Sequence, residues 1–187
     1  MKIISENDYG QAAECLLSGG IVVLRTDTIY GIVASANNEK ACDTVFAIKQ
    51  RDADKACIVL VADEAQVWDE VSATAKRMIR AQVPDAYPSS LIVPIADKTP
   101  AWIHHGKQDV AFRIPSTKPW LIEMLRVSGP IIAPSANLQG HEPAKDIDEA
   151  IAYFGSAVDL YVDGGEVTTS EPSHLYRLNN GQVERLR

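Results

Sequence analysis

The sequence predicts an α/β fold, one domain built on a twisted, mixed sheet with helices packed against it, and three observations lead there. Its 187 residues are enough for one large domain and too few for two comfortable ones. Residues 57–62 (CIVLVA) form a continuous apolar run of the kind found in strands covered on both faces. Strand-like and helix-like segments interleave along the whole chain without a strict βα repeat. Residues 1–187 are therefore read as a single domain.

The elements follow in order. Asn7 or Asp8 can cap a helix whose Ala12, Ala13, Leu16 and Leu17 share one face, and Gly19-Gly20 ends it. Residues 21–24 are a buried strand and 29–36 a second. Residues 39–49 read as a helix with Ala41, Val45 and Ile48 on one stripe. After the strand at 57–62, two short helices are expected at 63–70 and 72–83. Strands follow at 91–95, 110–114 and 131–133, with a helix at 119–127 between the last two. A helix from 146 to 154 precedes strands at 160–162, 174–178 and 182–186. The longest irregular stretches, 84–90, 97–109 and 164–173, are long enough to suggest functional loops.

Composition narrows the class. Apolar residues make up 46% and charged residues 23%, as in an ordinary globular protein. A net charge of −7 argues against a surface that grips nucleic acid throughout, while leaving room for a basic cleft. Cys15, Cys42 and Cys57 are odd in number, lack metal-ligand spacing and sit in apolar segments, which suits buried thiols in a reducing cytoplasm. The opening MKIISENDYG has no apolar leader core, and no run reaches membrane-spanning length. The expectation is a cytosolic protein away from membranes.

Three stretches carry candidate chemistry. In "GGIVVLRTDTIYGIVASA", residues 19–36, a good apolar run is broken by Arg25-Thr26-Asp27-Thr28, with Tyr30 and Gly31 directly behind. A plain turn needs no such set, so these groups read as kept for a ligand. In "AIKQRDADKACIVLV", Lys49, Arg51 and Lys55 emerge between a helix end and a buried strand. They read either as helix capping or as an anion grip, arginine offering a fork and lysine a point charge to phosphate. In "IIAPSANLQGHEPAKDIDEA", Ser135 and Asn137 follow a buried strand, where α/β sheets commonly bind ligands. An ordinary turn reads equally well there.

In this order the stretches resemble the threonylcarbamoyl-AMP synthase family (YrdC/TsaC-like). The first looks like its opening strand-turn-strand signature. Lys49, Arg51, Ser135 and Asn137 look like its split Lys-x-Arg … Ser-x-Asn pattern. "DVAFRIPSTKP" looks like the strand carrying the family arginine, here Arg113, and "VDGGE…PSHLYRL" like its late Gly-Gly turn and following serine, here Gly164-Gly165 and Ser173. The resemblance implies a single α/β domain around a deep basic cavity. It also implies an enzyme that joins L-threonine, bicarbonate or carbon dioxide, and ATP into threonylcarbamoyl-adenylate, with Mg²⁺ accompanying ATP and no metal held by protein side chains. The product would pass to a complex that modifies tRNA.

By the same resemblance, Lys49 and Arg51, with Lys55 assisting, hold ATP phosphates. Asn137 and Lys145 contact nucleotide, and Arg185 or Arg187 supplies a late arginine for ATP. Thr28, with Thr26 as the alternative, bonds the amino acid, and Ser135 lies where nucleotide and threonine meet. Ser173 closes the amino-acid pocket, and Arg113 pairs with the threonine carboxylate or a phosphate. No residue is implied as a nucleophile: "APSAN" is not a nucleophile elbow.

The chain departs from the pattern in places. Arg25 stands where proline is usual. Tyr87-Pro88-Ser89-Ser90-Leu91-Ile92 replaces Trp-Pro-Gly-Pro-Leu-Thr, and His174 replaces threonine. Gln139 and Glu142 replace smaller or neutral residues. His104-His105, read as part of an extended segment, point apart there and do not suggest a metal site; that segment reads instead as a loop over the cavity mouth. Trp68, Trp102 and Trp120 read as packing residues. Two other functions fit the same features: an RNA-binding module using the basic cavity for a phosphate backbone, and a paralogue making a different carbamoyl-adenylate.

Overall fold

The computed structural model describes residues 2–50, 57–69, 71–81, 87–95, 99–168, 171–179 and 181–187. Among them ten strands form one mixed sheet. In chain order the elements are β1 (Lys2–Ser5), α1 (Tyr9–Leu17), β2 (Val22–Arg25), β3 (Tyr30–Ser35), α2 (Glu39–Ile48), β4 (Ile58–Leu60), α3 (Ala73–Ala81) and β5 (Ser89–Pro94). They continue with α4 (Ala101–His104), β6 (Asp109–Arg113), α5 (Pro119–Ser128), β7 (Ile131–Ile132), α6 (Ile147–Phe154), β8 (Leu160–Asp163), β9 (His174–Asn179) and β10 (Gln182–Arg185). Across the sheet the order is β1-β8-β2-β3-β7-β4-β6-β5-β9-β10. Parallel pairs (β1/β8, β2/β8, β4/β6, β5/β9) alternate irregularly with antiparallel ones.

Period-two alternation explains the layers. On one face Val23, Ile32, Val59, Phe112 and Ile132 pack against apolar residues of α2, α3, α4 and α6. On the other, Val22, Leu24, Val33, Leu60, Ile131 and Val162 pack against Ala12, Ala13 and Leu16 of α1 and Leu121, Met124 and Leu125 of α5. This second cluster draws its strand residues from β1, β2, β3, β4, β7 and β8. The same face of β5, β6 and β9 carries Ile92, Ala111, Arg113 and Leu175, set side by side by the registers Ile92↔Ala111, Leu60↔Arg113 and Ser90↔Leu175. Two helices thus cover part of that face, and the uncovered part is the floor of a cavity.

Local sequence sets the boundaries. Asn38 caps α2 by accepting from the amide of Ala41 at 3.1 Å, and Asp146 caps α6 by accepting from Glu149 at 2.8 Å. Pro119 opens α5, where its missing N–H costs nothing. Several expectations change. Leu17 is exposed: at the end of α1 it points off the buried face that Ala12, Ala13 and Leu16 share. The helix expected at 63–70 is a single 3₁₀ turn, Glu64–Gln66. The irregular stretch 97–109 contains α4, and the short strand β1 was not foreseen. His104 and His105 end that helix rather than lying in a strand: His105 packs edge-on against Phe46 at 4.8 Å, and Trp102 Nε1 donates to the carbonyl of Ala36 at 3.0 Å. This segment lies on α2, not over the cavity.

Candidate functional site

A cavity of about 360 Å³ opens on the uncovered sheet face, lined by Thr26, Thr28, Tyr30, Ser135, Arg113, Ser173 and Arg187 among others. Its apolar wall comes from Ile29, Ile58, Ile92, Ala111, Ala133 and Leu175. This volume suits a small-molecule site, as does the mixture of apolar wall and a few converging polar groups.

The polar knot between β2 and β3 is folded on itself. Thr26 donates its amide and its hydroxyl to the carbonyl of Ile29 at 3.0 and 2.7 Å. Its Oγ1 also accepts from the amide of Thr28 at 3.2 Å and lies 3.1 Å from the Thr28 hydroxyl. Both threonines are thus presented on the cavity wall by a closed turn. Behind them Gly31 bridges to Ser135, and a Cβ there would stand 3.3 Å from the carbonyl oxygen of Pro134. That close approach accounts for the glycine.

Arg113, at the end of β6, has a side chain only 4% exposed, and its Nη2 lies 3.2 Å from Oδ1 of the fully buried Asp27. Its Nη1 reaches Thr28 Oγ1 at 3.5 Å. Burial pulls the guanidinium below the ordinary arginine range, and Asp27 opposes that pull. The acidic group on the wall, Asp109, pairs with Arg177 at 3.2 Å. The described lining therefore carries two arginines, each with a partner in the protein, and one aspartate.

Lys49 is brought to Ser135 and Asn137, as the split motif implied. Its ammonium, on a residue 2% exposed, donates to the carbonyl of Ser135, to that of Asn137 at 2.6 Å, and to Asn137 Oδ1 at 3.2 Å. Ser135 Oγ donates to Asn137 Oδ1 at 2.6 Å, and Asn137 Nδ2 donates to the carbonyls of Leu138 and His141. The amide of Ala136 donates to the Tyr30 carbonyl at 2.8 Å. This lysine sits beneath the turn, while Ser135 reaches the wall. Arg51 and Lys55 lie outside the described residues.

The far wall is built late in the chain. Ser173 Oγ and Ser90 Oγ share a buried hydrogen bond of 2.9 Å. Arg187 donates from Nη2 to the Ser173 carbonyl at 2.9 Å. The chain around Arg187 is pinned by the amide of Leu175, which donates to the Arg187 carbonyl at 3.1 Å. Tyr30 is both core aromatic and wall: its hydroxyl donates to the Gly165 carbonyl at 2.9 Å and accepts from the Gly164 amide at 3.0 Å. Lys145 is not brought to this cavity. It lines a neighbouring groove with Glu142, Glu149 and Tyr153, and Pro143 borders both.

Three contributors were given no individual role from sequence. Ser90 is a hydroxyl inside an apolar strand, and such a residue needs a buried partner. Arg25, read with the knot as a group kept for a ligand, instead donates to the Gly164 carbonyl at 2.9 Å and so helps hold the Gly-Gly turn. Asp27, a carboxylate inside an apolar hairpin, is a similar signal: a buried acid needs a cation, and Arg113 was available.

Comparison with known proteins places this geometry. The family model described as Telomere recombination, for Sua5, YciO and YrdC proteins, matches residues 14–187. The threonylcarbamoyl-AMP synthase of Acinetobacter baylyi is 30% identical over 98% of this chain and 99% of its own length. That of Pseudoalteromonas atlantica is 28% identical over 90% and 91%. Among solved structures, P. abyssi Sua5 complexed with L-threonine superposes with a TM-score of 0.85 at 26% identity, covering 100% of this chain. This chain spans 57% of that one. E. coli YciO gives a TM-score of 0.80 over 100% of this chain and 93% of its own, and at 21% identity it speaks to the fold alone. The chain belongs to the Sua5/YciO/YrdC family.

Proposed function

We propose that this protein is a threonylcarbamoyl-AMP synthase. It joins L-threonine, bicarbonate or carbon dioxide, and ATP into threonylcarbamoyl-adenylate and releases pyrophosphate. The product serves a cytoplasmic complex that modifies tRNA. The observation that carries the reading is the convergence of four hydroxyl residues (Thr26, Thr28, Ser135, Ser173) with Arg113 and Arg187 around one cavity. Synthase relatives aligned over nearly the full chain support it.

In this reading Thr28, with Thr26 behind it, bonds the amino acid, Arg113 takes its carboxylate, and Ser173 closes the pocket. Ser135 and Asn137 hold the junction of nucleotide and threonine. Lys49 fixes that turn and places a positive charge beneath the phosphates, which Arg51, Lys55 and Arg187 grip. Lys145 reaches the nucleotide from the adjoining groove. Attack of a carbamate oxygen on the α-phosphorus, with pyrophosphate leaving, needs alignment and charge neutralisation rather than a protein nucleophile. Among the described residues no group of three or more His, Cys, Asp or Glu could hold a metal ion. Mg²⁺ would enter on the triphosphate and neutralise its charge there.

The test is pyrophosphate release from ATP, Mg²⁺, bicarbonate and threonine. Release that depends on threonine, and falls when serine or another amine replaces it, is the expected result. Release indifferent to threonine overturns the reading. Salt-sensitive RNA binding without nucleotide affinity would instead favour an RNA-binding module.

A further inference from the structure

Asp27 lies one layer behind the cavity. Its side chain is fully buried, yet it joins three parts of the site. Its own backbone belongs to the knot that presents Thr26 and Thr28. Oδ1 stands 3.2 Å from Arg113 Nη2, and Oδ2 accepts from the amide of Ser116 at 3.2 Å. The Arg113 guanidinium is otherwise sparsely engaged: Nη1 is 3.5 Å from Thr28 Oγ1, and the buried Nε has no hydrogen-bond partner.

We infer that Asp27 is a positioning residue that clamps one corner of the Arg113 guanidinium, so that its remaining donors face the carboxylate of the amino-acid substrate. This inference rests on the proposed function for the identity of that carboxylate. A guanidinium presents its N–H groups in a rigid planar fork, but the stem that carries it is flexible. Aspartate has a short side chain, and the Ser116 amide holds it from the other oxygen; Oδ1 itself makes no hydrogen bond, so its hold on the fork is that of a close ion pair at 3.2 Å. It also supplies the negative charge that a buried cation needs. With that charge balanced inside the protein, the anion at Arg113 is selected by directed hydrogen bonds more than by excess positive charge. A planar carboxylate matches such bonds in two places.

Asp27→Asn keeps the shape and removes the charge; Asp27→Glu keeps the charge and displaces it by one methylene. Two readouts apply to both variants. In steady-state pyrophosphate release, the KM for threonine should rise about tenfold or more while the KM for ATP stays within about twofold. The second readout is hydrogen exchange at the Arg113 Nε–H, followed by nitrogen-15 NMR of arginine side chains without any substrate. It should be slow in the wild type and about tenfold faster in Asp27→Asn, with Asp27→Glu between them. Equal losses in both KM values, no change in either, or unchanged exchange overturns the assignment. If Asp27→Asn does not fold, Asp27→Glu decides the same comparison. A wild type without threonine-dependent release fails the functional reading, and the exchange measurement still decides whether Asp27 holds Arg113.

Discussion

Replacing Lys49 by methionine keeps the apolar stem and removes the ammonium from beneath the Ser135–Asn137 turn. The cost can be worked from its bonds. The Ser135 carbonyl retains the Asn137 amide at 3.0 Å, and Asn137 Oδ1 retains the Ser135 hydroxyl at 2.6 Å. The Asn137 carbonyl loses its 2.6 Å charge-assisted bond, and an unsatisfied buried acceptor costs about 1–3 kcal/mol. Loss of the remaining contacts, offset by the ammonium no longer being buried, brings the total to about 2–4 kcal/mol. For a protein of this size that corresponds to a melting temperature lowered by about 4–16 °C. Thermal unfolding by circular dichroism measures it, and ATP titration of the folded variant measures the second consequence, weaker nucleotide binding from a loosened turn. A variant that melts within about 2 °C of the wild type and binds ATP equally well would refute the assignment of this lysine as the support of the turn.

Gly31→Ala should cost about 1–3 kcal/mol in urea unfolding, because the added methyl presses on the Pro134 carbonyl and on Thr26. Ser90→Ala or Ser173→Ala alone should each cost about 1–2 kcal/mol by stranding the other hydroxyl, and the double variant should cost less than their sum; strict additivity would count against a shared bond. Burial pushes Tyr30 and Tyr161 up to about 12. Their stabilising contribution is full below the unfolded tyrosine value of about 10 and is lost as pH rises towards 12. The melting temperature should therefore fall over that window, and less steeply in Tyr30→Phe.

Most elements were legible because their periodicity is clean. The all-apolar 57–62 run announced β4, and Asp146 with Ile147, Ala150 and Phe154 announced α6. β1 was missed because Lys2–Ser5 has a single buried residue, Ile4, and its assignment comes from pairing with β8, 158 residues away along the chain. The four-residue α4 is too short to show a helical period, and it is held by contacts to distant residues, Trp102 to the Ala36 carbonyl and His105 against Phe46. In the site, residue types at strand ends pointed to Thr26, Thr28 and Ser135, and the family resemblance to Arg113 and Ser173; all five line one cavity. Sequence could not show that the Lys49 ammonium is turned into backbone carbonyls, since a lysine near phosphates and a lysine under a turn read alike. Asp27 was read only as one of the knot's ligand groups and Ser90 was given no role, because each is explained by a partner far along the chain, Arg113 and Ser173.

The cavity draws its walls from Thr26 at one end of the numbering to Arg187 at the other, through β3, β4, β5, β6 and β9. No local opening that detaches β9 or the β2–β3 knot can leave the binding surface intact. Occupancy by substrate should therefore be linked to the stability of the whole fold, growing with the logarithm of ligand concentration over its dissociation constant. A thermal-shift titration then doubles as a binding measurement, and fragments cut from either half of this molecule should show no such shift.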